Sequence, residues 1–143
     1  MTYKVTNRTT RDRIWAPKFT LFTDAGEILE SGKDVPTSIT AEIHTLLKNQ
    51  FLEKQNEIIG DLLQGPENAR EGLVLWPARS LNVNEMTVFI SGVSGESIRV
   101  RNPITGEQVF LYKTLQRNYL IPGDALARGT EAIGLVEEHW ILR

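Results

Sequence analysis

Three short apolar runs between residues 57 and 91 constrain the fold of this chain more than any other feature. They cover residues 58–63, 73–76 and 86–90, and the turn residues Gly65 and Pro66 separate the first two. Short apolar runs bounded by turn residues are typical of β-strands. The stretch therefore predicts central strands of a β-sandwich, with the first two runs joined in a hairpin through Gly65-Pro66.

The rest of the chain continues this pattern of short strands and turns. Alternation of apolar and polar residues predicts further strands at residues 2–6, 19–23, 27–30, 97–101, 108–119 and 138–142. Many short strands at regular spacing indicate a mainly β chain folded as an antiparallel sandwich. Because 143 residues is the length of one domain, we expect a single β-sandwich domain over residues 1–143.

One inserted α-helix is predicted at about residues 38–52. Pro36 suits the entry to a helix, and Thr37 or Ser38 can accept hydrogen bonds from the free N–H groups of the first turn. Helical spacing places several apolar residues on one stripe, namely Ile39, Ile43, Leu46, Leu47 and Phe51. We expect this helix to lie over an open end or edge of the sandwich. A short helical turn is also predicted at residues 125–128.

Composition and charge exclude several classes of protein. The formal net charge of −2 implies no bulk electrostatic attraction to nucleic acid or to a membrane surface. The chain has no cysteine, which excludes disulfides, zinc–thiolate sites and cysteine nucleophiles. No run approaches the ~18 apolar residues of a membrane helix. No signal peptide precedes the first strand, and we expect the chain to be a domain of a longer protein.

The sequence offers only weak catalytic patterns. Ser94 lies in the nearest match to a nucleophile elbow, but Glu96 stands where that motif needs glycine, and no helix follows. A base would have to come from His44 or His139, and both are better interpreted as structural histidines. The carboxylates around one hairpin offer oxygen atoms to calcium without EF-hand spacing: Asp24, Glu27, Glu30 and Asp34. The sequence thus predicts no catalytic residue, no metal and no cofactor.

Aromatic residues and strand edges are the features most suited to binding a partner. Trp76 lies in a fully apolar run and is predicted to be core. Trp15 and Trp140 are either core residues or, with Tyr3 on the first strand, parts of an exposed interaction surface. The first and last strands are the expected edges of the sandwich, where another chain can add a strand.

Three motifs carry a resemblance to a known family: a strand ending at Asn7, an Asp24-Ala25-Gly26 hairpin turn, and a hairpin over residues 62–76. Their order resembles the immunoglobulin-like, telokin-like β-sandwich domains of unknown function in bacterial exported and lipid-anchored proteins. The resemblance covers about residues 2–91, and Gly65-Pro66 reverses the family's usual Pro-Gly order. It implies an Ig-like, non-enzymatic sandwich that is extracytoplasmic, in the periplasm or at the cell surface, and it transfers no site residue.

Three hypotheses on function follow from the sequence. The first is a non-catalytic Ig-like module for protein–protein or structural interactions, part of a larger bacterial exported or surface protein or assembly. Its partner is another protein or further copies of the chain, joined through edge strands, with no nucleic acid and no transmembrane segment. The second is a carbohydrate-binding module that uses exposed Trp15 or Trp140. The third is a small hydrolase that uses Ser94 or a carboxylate pair.

Overall fold

The structure, a computed structural model, describes residues 1–80, 82–123 and 131–143. It is mainly β, with several antiparallel sheets and one α-helix, which is consistent with the β-sandwich that the sequence predicts. The helical turn predicted at residues 125–128 lies outside the described residues. No helix in the described part of the chain is long and apolar enough to cross a membrane.

Eleven strands and two helical segments make up the described elements. In chain order they are β1 (Thr2–Val5), β2 (Arg13–Trp15), β3 (Lys18–Thr23), β4 (Ile28–Glu30), α1 (Thr37–Leu46), β5 (Leu52–Lys54), β6 (Gly60–Leu62), a 3₁₀-helix (Pro66–Asn68), β7 (Arg70–Leu73), β8 (Glu85–Ser91), β9 (Ser97–Arg101), β10 (Gln108–Leu120) and β11 (Leu135–Leu142).

These elements gather into two compact units. The first comprises Met1–Pro17 and Leu29–Pro77, and the second comprises Lys18–Ile28 and Ala78–Arg143. The single domain over residues 1–143 therefore stays a prediction, and each unit is described by itself below.

In the first unit, β7 is the central strand of a three-stranded sheet. It pairs antiparallel with β1 and parallel with β5, while β2 pairs antiparallel with β6. The predicted hairpin through Gly65 and Pro66 is therefore wrong, because β6 and β7 pair with other strands. The backbone N–H of Asn68 donates to the Gly65 carbonyl oxygen (3.2 Å) and its side chain donates to the Gln64 carbonyl oxygen (2.7 Å). These bonds close a 3₁₀ turn where a β-turn was expected.

The core of the first unit forms around Trp15. This side chain is buried with Ile58 and Leu62, and Tyr3 packs against the cluster. The indole Nε1–H of Trp15 donates a hydrogen bond to the Tyr3 hydroxyl oxygen (3.3 Å). Tyr3 lies opposite Gly72 in the β1–β7 pair, and a Cβ atom on Gly72 would lie 2.4 Å from the Tyr3 ring. A glycine at position 72 therefore makes room for the ring that closes this core.

The helix α1 ends earlier than predicted, at Leu46 in place of residue 52. Lys48 adopts a positive φ of 49°, a conformation that terminates a helix. Asn49 then accepts a hydrogen bond from the backbone N–H of Phe51 (3.0 Å), which starts the turn into β5. The prediction that Phe51 extends the helical stripe is therefore wrong. Leu52, the last residue of the predicted helix, is the first residue of β5, which pairs with β7.

The start of α1 also differs from the prediction. Pro36 occupies the N-cap position, and no side chain caps the free N–H groups, so neither Thr37 nor Ser38 has the predicted role. No residue of the helix is buried, and Leu46 is 76% exposed. The helix thus leaves part of its apolar stripe in contact with water.

The second unit is built on the antiparallel strand order β11-β10-β8-β3. Strand β9 pairs with the first part of β10, so the predicted hairpin between residues 97–101 and 108–119 is confirmed. The predicted edge positions are confirmed as well. Strand β1 ends the three-stranded sheet, and β11 ends the larger one.

We expect Gly72→Ala to destabilise the first unit by about 1–3 kcal/mol, the usual cost of forcing an extra group into a packed site. Urea denaturation followed by circular dichroism measures this change. Gly95→Ala is the matched control, because a Cβ atom there meets nothing within 4 Å and φ is not positive. Equal midpoints for Gly72→Ala and the unsubstituted protein would contradict the close approach of Tyr3.

Candidate interaction surface

Strand β10 determines which side chains of the second unit share a face. Its thirteen residues pair with β9, β8 and β11. Because side chains alternate along a strand, the odd-numbered residues of β10 and their cross-strand partners form one face, here called the apolar face. The even-numbered residues and their partners form the opposite face, here called the aromatic–basic face.

The apolar face is buried where it is formed by β3 and β8, and it is exposed where it is formed by β9 and β11. On β3 and β8 its side chains are buried: Phe19, Leu21, Val88 and Ile90. Toward β9 and β11 the same face carries large apolar side chains exposed to water: Ile98, Val109, Leu135, Trp140 and Leu142. Two ion pairs, Lys113–Glu96 and Arg117–Glu138, interrupt this exposed area. Ile98, Trp140 and Leu142 nevertheless lie around one depression, and clustered exposed apolar side chains mark a surface for binding.

Trp140 is the centre of this exposed area, and its side chain is 47% exposed. The Lys113 ammonium lies 5.3 Å from the centroid of its ring. Lys113 also donates hydrogen bonds to both carboxylate oxygens of Glu96 (2.9 and 3.0 Å). A depression of about 660 Å³ includes these three side chains together with Ile98. The arrangement provides an apolar platform beside one solvent-exposed ion pair.

The outer edge of β11 presents unpaired backbone groups. Tyr112 and Arg143 exchange both backbone hydrogen bonds (2.8 and 3.2 Å), so this pair is hydrogen-bonded. Antiparallel pairs alternate between hydrogen-bonded and non-hydrogen-bonded types. The N–H and C=O groups of Glu138, Trp140 and Leu142 therefore point away from β10. In the described part of the chain, no strand pairs with this edge.

The residues predicted to form an interaction surface separate into two groups. Trp15 is 6% exposed and belongs to the core of the first unit, and half-buried Tyr3 packs against it. Trp140 lies in the second unit and is the exposed member of the set. Trp76, predicted to be core, is half-buried, and its indole nitrogen is buried without a hydrogen-bond partner among the described residues.

The serine and the two histidines considered for a hydrolase make contacts that do not form a catalytic arrangement. Ser94 Oγ accepts a hydrogen bond from the backbone N–H of Glu96 (3.1 Å), which closes the β8–β9 turn. His44 Nε2 contacts the Leu52 carbonyl oxygen (2.5 Å), and His139 Nδ1 lies 3.7 Å from a carboxylate oxygen of Glu137. These contacts join neither histidine to Ser94.

Two of the four carboxylates considered for calcium, Asp24 and Glu27, make hydrogen-bond contacts near the turn between β3 and β4. Asp24 accepts a hydrogen bond from the backbone N–H of Asn84 (3.0 Å), and Glu27 lies 3.5 Å from the Thr23 hydroxyl. Within the described residues, no group of three or more acidic or histidine side chains is placed to hold a metal ion.

Arg70 forms an ion pair with Glu53 that connects strands of the first unit. Arg70 donates hydrogen bonds to both carboxylate oxygens of Glu53 and to the carbonyl oxygens of Glu57 and Asp61. The side-chain hydrogen bonds to Glu53 raise the pKa of Arg70. Such a bidentate pair fixes orientation, and here it joins β7 to β5 and to the segment that leads into β6.

Burial raises the pKa of the Tyr3 hydroxyl above its usual range. The folded state therefore holds this proton more tightly than the unfolded chain. The resulting stabilisation is present below the unfolded pKa of about 10 and is lost as the pH rises through the folded pKa. We expect the free energy of unfolding to fall at alkaline pH for this reason.

We expect Tyr3→Phe to remove the Tyr3 part of this alkaline loss, while lowering stability near neutral pH by about 1 kcal/mol because Trp15 loses its hydrogen-bond acceptor. Urea denaturation between neutral pH and pH of about 11 measures both effects. Tyr112→Phe, at an exposed tyrosine, is the control for removal of a hydroxyl group and should leave the stability near neutral pH unchanged. An unchanged pH profile for Tyr3→Phe would contradict this account.

No protein-family model, curated protein or solved structure matches this chain. The resemblance to immunoglobulin-like, telokin-like domains therefore stays a prediction, and the surface geometry carries the functional argument.

Proposed function

We propose that this protein is a non-catalytic assembly module that associates with further copies of itself through the edge of β11. The observation that carries the proposal is the edge itself. Its strand has eight residues, its outward backbone groups lack strand partners among the described residues, and its exposed side chains include Trp140 and Leu142. Such an edge is a ready template for strand addition.

The alternation of backbone groups along β11 restricts how two copies can pair. A residue whose N–H and C=O groups point outward must pair with such a residue of the second copy. Even-numbered positions of one copy therefore pair with even-numbered positions of the other. Two such antiparallel overlaps contain seven residues of β11, and the one over residues 136–142 places His139 on the twofold axis. Trp140 then faces Glu138 of the second copy, and Leu142 faces Val136. This register joins the two exposed apolar areas and sets no carboxylate opposite another carboxylate.

The other confirmed sheet edge is less suited to assembly. Strand β1 has four residues, and Lys4 on it is exposed; short strands and edge lysines are common protections against strand addition. Deletion of residues 2–6 would also remove Tyr3 from the core around Trp15. A single substitution in β11 therefore separates assembly from folding better than a deletion in β1.

We expect Glu138→Pro to abolish self-association while the fold is kept. Proline removes the outward N–H donor at position 138 without removing a bond to β10, and proline is tolerated at such edge positions. Size-exclusion chromatography with light scattering over a range of protein concentrations measures the molecular mass. The unsubstituted chain should be a dimer that dissociates on dilution, and Glu138→Pro should be a monomer.

The matched control is Glu138→Ala. It loses the ion pair with Arg117 (2.5 Å), as the proline variant does, but it keeps the backbone N–H group. Loss of one exposed pair costs about 0.2–1 kcal/mol, so Glu138→Ala should remain folded and dimeric. A monomeric unsubstituted chain, or equal dissociation of the two variants, would contradict assembly through β11.

A second candidate function is carbohydrate binding, which the exposed ring of Trp140 favours. Soluble glycans that stack on this ring would quench tryptophan fluorescence, and Trp140→Ala would remove the response. Flat titrations across a glycan panel would reject this candidate. An Ig-like family membership and an extracytoplasmic location belong to the first proposal and rest on the sequence resemblance alone.

A further inference from the structure

The aromatic–basic face combines aromatic rings with positive charges. Phe110 and Tyr112 on β10 are 50% and 55% exposed. Cross-strand pairing brings Arg99 opposite Phe110, Arg101 opposite Gln108, and the end of β11 beside Tyr112. Phe89 on β8 lies on the same face, since it pairs with Gln116. The positively charged residues of this face are Lys18, Arg99, Arg101 and Arg143.

Guanidinium groups already stack on two of the aromatic rings. Arg99 Cζ lies 4.9 Å from the centroid of Phe110, and Arg143 Cζ lies 4.2 Å from the centroid of Phe89. A guanidinium plane that covers a ring keeps its donors at the edges, where they can bind phosphate oxygens. Its outer surface offers a second flat platform for a planar ligand.

A depression of about 530 Å³ lies in the middle of this face. The hydroxyl-bearing residues Thr20, Ser91 and Ser94 line it, together with Tyr112 and Arg143. None of the described residues that line it carries a carboxylate side chain. Hydroxyl donors beside a guanidinium suit an anion with several acceptor oxygens.

The spacing of the two exposed rings is suited to a chain of stacked bases. Phe110 and Tyr112 are two residues apart on one strand face, which separates their Cα atoms by about 6.5–7 Å. This distance is about twice the 3.4 Å spacing of stacked bases. The two ring positions therefore suit two bases of one strand that are separated by one further base. Aromatic rings on a sheet surface are a recurrent platform for single-stranded nucleic acids.

We propose that the aromatic–basic face binds single-stranded nucleic acid, with bases stacked on Tyr112 and on the Arg99–Phe110 pair, and with phosphates held by Arg99, Arg101 and Arg143. The formal net charge of −2 does not oppose this, because Arg99, Arg101 and Arg143 lie at one end of the face. The carboxylate of Glu137 on the same face lies toward the other end of β10, where it accepts a hydrogen bond from Asn118. Lys113 and Arg117, the basic residues on the other face of β10, are each paired with a glutamate. The sequence-based expectation of no nucleic-acid partner rested on the net charge alone.

Fluorescence anisotropy with a labelled oligothymidylate of about 12 nucleotides tests the proposal. We expect binding that weakens as salt rises from about 0.05 to 0.2 M. Arg99→Gln with Arg101→Gln should lower the slope of log affinity against log salt by about 1.4, since each lost phosphate contact removes about 0.7. Tyr112→Ala should weaken binding about 5- to 150-fold and leave the salt slope unchanged, because it removes a stacked base.

The matched control is the double substitution Lys113→Gln with Arg117→Gln. It removes the same number of positive charges from β10 but from the apolar face, so affinity should stay within about twofold of the unsubstituted protein. Circular dichroism verifies that every variant is folded.

Three results would overturn the proposal. The first is an anisotropy that does not change at low salt. The second is an equal loss of affinity in the control and in the Arg99/Arg101 variant. The third is full affinity in Tyr112→Ala together with equally tight binding of heparin, a sulfated polysaccharide without bases. That last result would mean that the face recognises charge alone.

Discussion

The pairing of β10 with three other strands is the constraint on which the second unit depends. A strand of thirteen residues that pairs with β8, β9 and β11 transmits its alternation of side chains to all of them. A shift of one residue in this register would bring Phe110 and Tyr112 to the face that carries Val88 and Ile90, which are buried. Burial of these two residues, on a strand next to β10, therefore fixes the positions of Trp140 and Tyr112 on opposite faces.

The first unit depends on different interactions. Its sheet is short, and its stability comes from the cluster of Trp15, Ile58 and Leu62 with Tyr3, and from the two-pronged bond between Arg70 and Glu53. The helix α1 ends at Leu46, and the positive φ of Lys48 and the turn at Asn49 separate it from β5. The helix has ten residues and contributes no buried residue, so we expect it to open at a lower free energy than the core of this unit.

Sequence patterns predict strand pairs correctly where the two strands are neighbours in the chain. They predict the wrong partner where the two strands are far apart in the sequence. Alternation located β8 and β9 well, because apolar and polar residues alternate along both strands, and it located β10 because the β9–β10 hairpin needs only a short turn. The proposed hairpin at Gly65-Pro66 failed because β6 and β7 find partners near the start of the chain, at β2 and β1. No local pattern encodes that choice.

The candidate surface shows the same limit. Trp15 and Trp140 each stand next to an isoleucine in a short apolar run, yet Trp15 is buried and Trp140 is exposed. Burial depends on which other elements pack against the strand, and neither run encodes this. The outward direction of Arg99 and Arg101 was readable from alternation. Their grouping with Phe89 and Arg143 was not, since it requires the register of four strands together.

Hydrogen exchange of the β11 amides, followed by NMR at several protein concentrations, tests assembly through this edge most directly. The amides of Glu138, Trp140 and Leu142 point outward, whereas those of His139 and Ile141 bond to β10. We predict that protection of the outward set rises with concentration while protection of the inward set stays constant. Outward amides that exchange rapidly at every concentration would contradict the assembly of this protein through β11.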